Sequence, residues 1–357
     1  MAETVLDNRS NFRFEALDGL RGYAALIVAI AHFCSVTGTL TQWPGLFNGV
    51  LAVDTFFVLS GFVLAHSFLS RQERGQPIAP IGLFVQRWVR LWVPFCVATL
   101  IAICLRFSLG PHTCSGQDGV VLAYCQRWNT EENIASLVRQ LLLFYAPNLN
   151  APSWTLSVEL LNSLLVPALV LILARSPGYL GFIAGLSLMS LFLPVKLPEC
   201  LYLFVAGCVL RHGIAFRQSE RRQRALLFLL GLSYFLMLPK YDISQDIQQA
   251  LLAPGSIVLV IAALRYHNIS LFFSHPVSKL LGRLSFPMYL LHWPILLAFL
   301  PYIQAAILKV GIGSRFSLLG SAAVFLLFSY LLCIPFERFV DASAVKWGRQ
   351  LRSAILF

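Results

Sequence analysis

Leu17-Asp-Gly-Leu-Arg21-Gly-Tyr-Ala-Ala-Leu-Ile-Val-Ala-Ile-Ala-His32-Phe-Cys34 is apolar enough to cross a bilayer, yet it carries Asp18, Arg21 and His32. At 3.6 residues per turn, Arg21 and His32 are close to three whole turns apart. Both therefore lie on one helical face, ~16 Å apart along the axis. Asp18 sits one turn before Arg21 on that face. Ionisable groups inside a spanning helix are costly, so they face the interior of a bundle and mark a pathway or a site. An Arg at the membrane edge can snorkel to water, but His32 is too deep for that.

The rest of the chain agrees with a membrane reading. It is 58% hydrophobic and 12% charged, with a mean hydropathy of +0.74. Such a composition excludes a soluble domain and points to an all-α, polytopic membrane bundle. Ten apolar runs have the length of spans: Leu17–Val36, Phe47–Leu69, Phe84–Phe107, Trp154–Ala174, Gly178–Leu193, Leu197–Leu210, Ala225–Leu238, Leu251–Leu264, Leu284–Ile303 and Phe316–Phe336. They fill one transmembrane domain, residues 1–357 with a core at about 12–340. The longest loop, Ser108–Pro152, includes an amphipathic stretch, Ile134–Tyr145, that reads as an interfacial helix. With the N-terminus inside, most of the 27 Lys and Arg fall on the inner side. The positive-inside rule then predicts that both termini are cytoplasmic. The formal charge of +11 is thus a bias between membrane sides and calls for no nucleic acid partner. The eight cysteines show no metal-ligand spacing. Cys114 and Cys125 share the long loop and would pair only if it faces an oxidising compartment.

That topology brings three ionisable groups to a similar depth in the outer half: His32, Asp54 and Glu159. A carboxylate beside a neutral His orients it and favours its charged form, which is what a general base needs. A network that merely glues helices together is the blander reading. Thr155 lies one turn before Glu159 on the same face. At the inner end, Arg87 and Arg90 share a face flanked by Trp88 and Trp92. Such a pair suits a phosphate-rich ligand, and equally a headgroup anchor. Tyr289 and His292 are one turn apart, and Pro287 and Pro294 free backbone carbonyls nearby. Intramembrane His, Asp and Glu are also the parts of a proton relay, so a proton-coupled transporter or permease is the alternative class. No inverted repeat supports it.

Several blocks occur in one order. They are Leu17-Asp-Gly-Leu-Arg21-Gly with R-x10-H spacing to His32, Val53-Asp54-Thr-Phe-Phe-Val-Leu-Ser-Gly-Phe62, and Arg87-x-x-Arg90. Trp154-Thr-Leu-Ser-Val-Glu159, Leu281-Gly-x-Leu-Ser-Phe-Pro-Met-Tyr289-Leu-Leu-His292-Trp-Pro and Pro335-Phe-Glu337 follow. Together they resemble the acyltransferase-3 family, membrane O-acyltransferases of the O-antigen acetylase type. The resemblance implies about ten transmembrane helices and transfer of an acyl group, usually acetyl, from acyl-CoA. The acceptor would be a hydroxyl of a glycan, a glycolipid or another extracytoplasmic substrate, and the setting a bacterial inner membrane. It also implies that Arg21, His32, the arginine pair and the block ending at Glu159 matter for activity.

On this reading His32, Glu159 and Asp54 are the catalytic candidates, and Arg21, Arg87 and Arg90 bind the acyl-CoA. Asp18, Thr155, Tyr289 and His292 are substrate or structural candidates. No metal is implied. Two positions depart from the family pattern: Thr155 stands for a Ser, and Phe286 for a Tyr. A hydroxyl survives at Thr155, which preserves a hydrogen-bonding role, whereas the change from Ser disfavours a strictly serine nucleophile there. No hydrolase-like domain is expected after the last span, unlike in longer members of the family, so a domain that would collect or finish the acceptor is either absent or supplied by a partner.

Overall fold

The computed structural model describes residues 2–39, 48–76, 80–110, 126, 128–129, 133–143, 148–175, 200–211, 245–309 and 314–355. Every regular element among them is helical. Helix α1 is Ala2–Val36, α2 Gly49–Glu73, α3 Pro80–Leu109 and α4 Ile134–Gln140. A 3₁₀ turn, Asn148–Ser153, leads into α5, Trp154–Arg175. Then come α6 (Leu201–Arg211), α7 (Gln245–Arg265), α8 (His267–Phe273), α9 (Pro276–Arg283) and α10 (Ser285–Lys309). Helix α11, Ser314–Phe336, passes through a π-helical turn, Glu337–Asp341, into α12, Ala342–Ile355.

Six of these helices are long and apolar enough to cross a membrane, or seven if the bent pair α7–α8, broken at 94°, counts as one span. The runs Gly178–Leu193 and Ala225–Leu238, and Cys114 and Cys125, lie outside the described residues. The run at Leu197–Leu210 corresponds to the short α6. The amphipathic stretch expected to reach Tyr145 is helical to Gln140 and turns at 141–143, and residues 144–145 lie outside the described residues. Leu319, Leu327 and Leu331 on α11 are exposed, as lipid-facing side chains of a membrane helix are.

The chain divides into two compact units interleaved in sequence. The first comprises Met1–Ala24, Pro44–Phe84 and Val158–Arg283. Its core centres on Phe57, Val58 and Leu59 of α2 against Leu203 and Phe204 of α6 and Val260 of α7. Hydrocarbon surroundings give packed helices no hydrophobic drive to associate, so close backbone approach supplies the attraction. Gly61 lies on the backbone of Phe204, and Gly207 on that of Val58 and Phe62. The glycines of the Asp-Gly-Leu-Arg-Gly block serve the same purpose. Gly19 abuts the Phe273 carbonyl, Gly22 abuts Leu281 and Gly282, and Gly282 returns the contact against Asp18. A Cβ on Gly22 would stand 2.5 Å from the Leu281 carbonyl carbon, too close without moving backbone. Gly282→Val is expected to destabilise by about 1–3 kcal/mol, the usual cost of overpacking. Thermal unfolding in detergent micelles checks this, and an unchanged midpoint would refute it.

The second unit comprises Ala25–Trp43, Val85–Ser157 and Leu284–Phe357. Trp128, Leu149, Trp293, Leu297 and Ala298 form one apolar cluster with Ala102 of α3. Phe299 meets Phe328 of α11 edge-on, with ring centres 5.1 Å apart. Beyond the π-turn, α12 docks on the start of α3. Gly348 lies against the Gln86 carbonyl, and Arg352 Nη1 donates to Gln86 Oε1 at 2.7 Å.

Candidate active site

His32 comes from α1 and His292 from α10, both in the second unit. His32 Nδ1 lies 3.0 Å from His292 Nε2. The two rings are nearly parallel, with centres 5.2 Å apart and 14° between planes. The Trp293 indole meets His32 edge-on at 5.1 Å. His292 is fully buried and His32 half-buried. His292 Nδ1 is 3.0 Å from the carbonyl oxygen of Met288, one turn earlier on α10.

The same stretch of α10 holds the 3₁₀ turn. Pro294 has no N–H to donate to the Leu290 carbonyl four residues back. The Asn150 amide takes that carbonyl instead, at 3.3 Å. Tyr289 donates its hydroxyl to the Pro152 carbonyl at 2.5 Å. The Thr155 hydroxyl lies 2.5 Å from the Tyr289 oxygen and 3.3 Å from Pro152 O. Thr155 and Tyr289 thus form one hydroxyl pair, both buried. Asn150 was not among the residues expected from sequence. The only sign of it was a proline that leaves a carbonyl unmatched.

In the first unit, Arg21 Nη1 bonds Asp18 Oδ1 at 3.1 Å, so the charges of the opening motif meet as their spacing predicts. Asp54 on α2 is fully buried. Glu159 accepts a hydrogen bond from Ser60 at 2.8 Å. In the second unit, Arg87 is half-buried and Arg90 exposed, one turn apart on α3. Trp88 and Trp92 stack beside them with centres 5.3 Å apart. Trp92 Nε1 donates to the Leu141 carbonyl at 3.1 Å, which fixes this face of α3 to the segment after α4.

A family model described as an acyltransferase domain matches residues 14–338, which includes every one of these positions. The chain belongs to the acyltransferase-3 family. Among curated relatives of this chain, the peptidoglycan O-acetyltransferase OatA of Listeria monocytogenes is 23% identical over 323 residues. That alignment covers 81% of this chain and 50% of the relative. The O-acetyltransferase OatA of Staphylococcus aureus is 26% identical over 315 residues, 78% of this chain and 50% of the relative. The acyltransferase MdmB of Streptomyces mycarofaciens is 32% identical over 158 residues, 41% of this chain and 36% of the relative. This acyltransferase-3 chain spans about half the length of the OatA proteins it matches. No solved structure matches it.

Proposed function

We propose that this membrane protein is an O-acyltransferase with His32 as general base. It would move an acyl group, acetyl first among them, from cytoplasmic acyl-CoA to a hydroxyl on an extracytoplasmic acceptor. Family membership and relatives named O-acetyltransferases support the reaction class. The observation that carries the residue assignment is the His32 imidazole, placed in an apolar helix and hydrogen-bonded at one ring nitrogen by a buried partner, His292.

In the proposed step, the acceptor O–H gives its proton to His32 as its oxygen bonds to the thioester carbonyl carbon. The C–S bond then breaks, and the CoA sulfur leaves with that proton as a thiol. Acyl-CoA phosphates would dock on Arg87 and Arg90, and Arg21 is a further proposed donor-binding residue. His292 occupies the Nδ1 position that the acid of a triad would hold. Glu159 and Asp54 are therefore proposed to stabilise charge rather than to bond that nitrogen. Because one relative is named a peptidoglycan O-acetyltransferase, a cell-wall glycan is the first acceptor to try. The bacterial inner membrane and cytoplasmic termini belong to the same proposal.

The test is acyl transfer by the full chain reconstituted in lipid nanodiscs with labelled acetyl-CoA. Release of free CoA together with label on glycan hydroxyls is the expected result. CoA release no faster than in empty discs, across cell-wall and surface glycans, would overturn the reading.

A further inference from the structure

Hydrogen accounting along α10 decides which nitrogen of His32 is the base. The Met288 carbonyl can only accept, so the His292 nitrogen 3.0 Å from it, Nδ1, carries a proton. A neutral imidazole has one N–H, so the other nitrogen of His292, Nε2, is a bare acceptor. That acceptor faces His32 Nδ1 at 3.0 Å, so Nδ1 of His32 must be the donor. The remaining nitrogen of His32, Nε2, is then left with its lone pair.

We infer that His292, held by the Met288 carbonyl, is a positioning residue that fixes His32 in the tautomer with Nδ1 protonated and Nε2 available as base. The inference rests on the acyltransferase reading and names the atom that does its chemistry. The arrangement has the logic of a triad in which a neutral imidazole stands in for the carboxylate. A carboxylate would bring a full negative charge into a buried site, at high desolvation cost. A second imidazole supplies the same directed acceptor without that charge. When Nε2 takes the acceptor's proton, His32 becomes cationic and its Nδ1–H still donates to His292. The chain His32 Nδ1–H to His292 Nε2, then His292 Nδ1–H to Met288 O, polarises in one direction and so stabilises the new charge. The hydrogen bond between the nearly coplanar rings, which meet edge to edge, and the Trp293 indole set steeply against His32 hold it against rotation.

Two measurements test this. The first is nitrogen NMR of the wild-type protein labelled with ¹⁵N-histidine, with His32 assigned by the signals missing from His32→Ala. The expected spectrum has a protonated Nδ1 and a bare Nε2. The reverse pattern, or an even mixture, would overturn the inference. It reads the tautomer whether or not acyl transfer is found, so the two proposals fail separately. The second compares His292→Gln, whose amide oxygen can still accept from Nδ1, with His292→Phe, which keeps an aromatic ring in the same place and removes the acceptor. Phe should cut kcat by roughly 10–100-fold, the range for losing a group that orients a site residue, with the acyl-CoA KM unchanged. Gln should recover most of that loss. Equal kcat in two variants that unfold at the wild-type temperature, high or low, would overturn the inference. If either variant fails to fold, the wild-type spectrum decides.

Discussion

His32→Ala should lose about 10²–10⁴-fold in kcat, the usual contribution of a positioned general base, while the acyl-CoA KM stays near wild type. The split follows from the proposed role. A base acts in the transition state and does not grip the donor, so its loss appears in kcat. The ring also packs, between His292 and Trp293, and a packing role must be separated from a chemical one. His32→Phe does this: it keeps an aromatic ring between His292 and Trp293 and has no nitrogen. Both variants should be equally slow. Both should also lose stability, because His292 Nε2 is left buried without its donor, a cost of about 1–3 kcal/mol. Turnover in nanodiscs and unfolding in micelles check the two effects. Phe restoring activity would show that the ring packs and does not catalyse.

How far the site could be read from sequence depends on how local its causes are. The placement of Arg21 and Asp18 follows from helical periodicity alone, and the structure bonds them at 3.1 Å. Small residues within a bulky run, as at Ser60-Gly61, read as a site of close helix packing, and Gly61 does lie on the Phe204 backbone. The His32–His292 pair could not be read in this way. Depth estimates put His32 level with Asp54 and Glu159, but depth along a bundle says nothing about which faces meet. Which helix lies beside α1 is a tertiary outcome, and periodicity does not encode it. The freed carbonyl at Leu290 was implied by Pro294, whereas its partner Asn150 lies 140 residues earlier. Nor is the docking of α12 onto Gln86 legible in the sequence, because the last apolar run ends at Phe336. The small residue that allows it, Gly348, looks like any other glycine in sequence.

That docking bears on the second large effect, which concerns the donor. Arg87 and Arg90 follow directly on Gln86, and Gln86 is held by Gly348 and Arg352 of α12. On the other side, Trp92 is tied to the Leu141 carbonyl. The start of α3 is thus braced from two directions, which suits side chains that must grip a ligand with defined geometry. Headgroup anchoring needs no such bracing, since lipid adapts to the protein. If the pair holds the nucleotide phosphates, each arginine contributes charge-assisted bonds of about 1.5–3 kcal/mol. Arg87→Ala or Arg90→Ala should then raise the acyl-CoA KM by roughly 10–100-fold, with kcat and acceptor preference unchanged. A donor stripped of those phosphates supplies the control. Wild type should use acetyl-pantetheine far less well than acetyl-CoA, and the double Ala variant should discriminate much less between them. A variant that still prefers acetyl-CoA by the wild-type ratio would leave the arginines to the lipid and place the phosphates elsewhere.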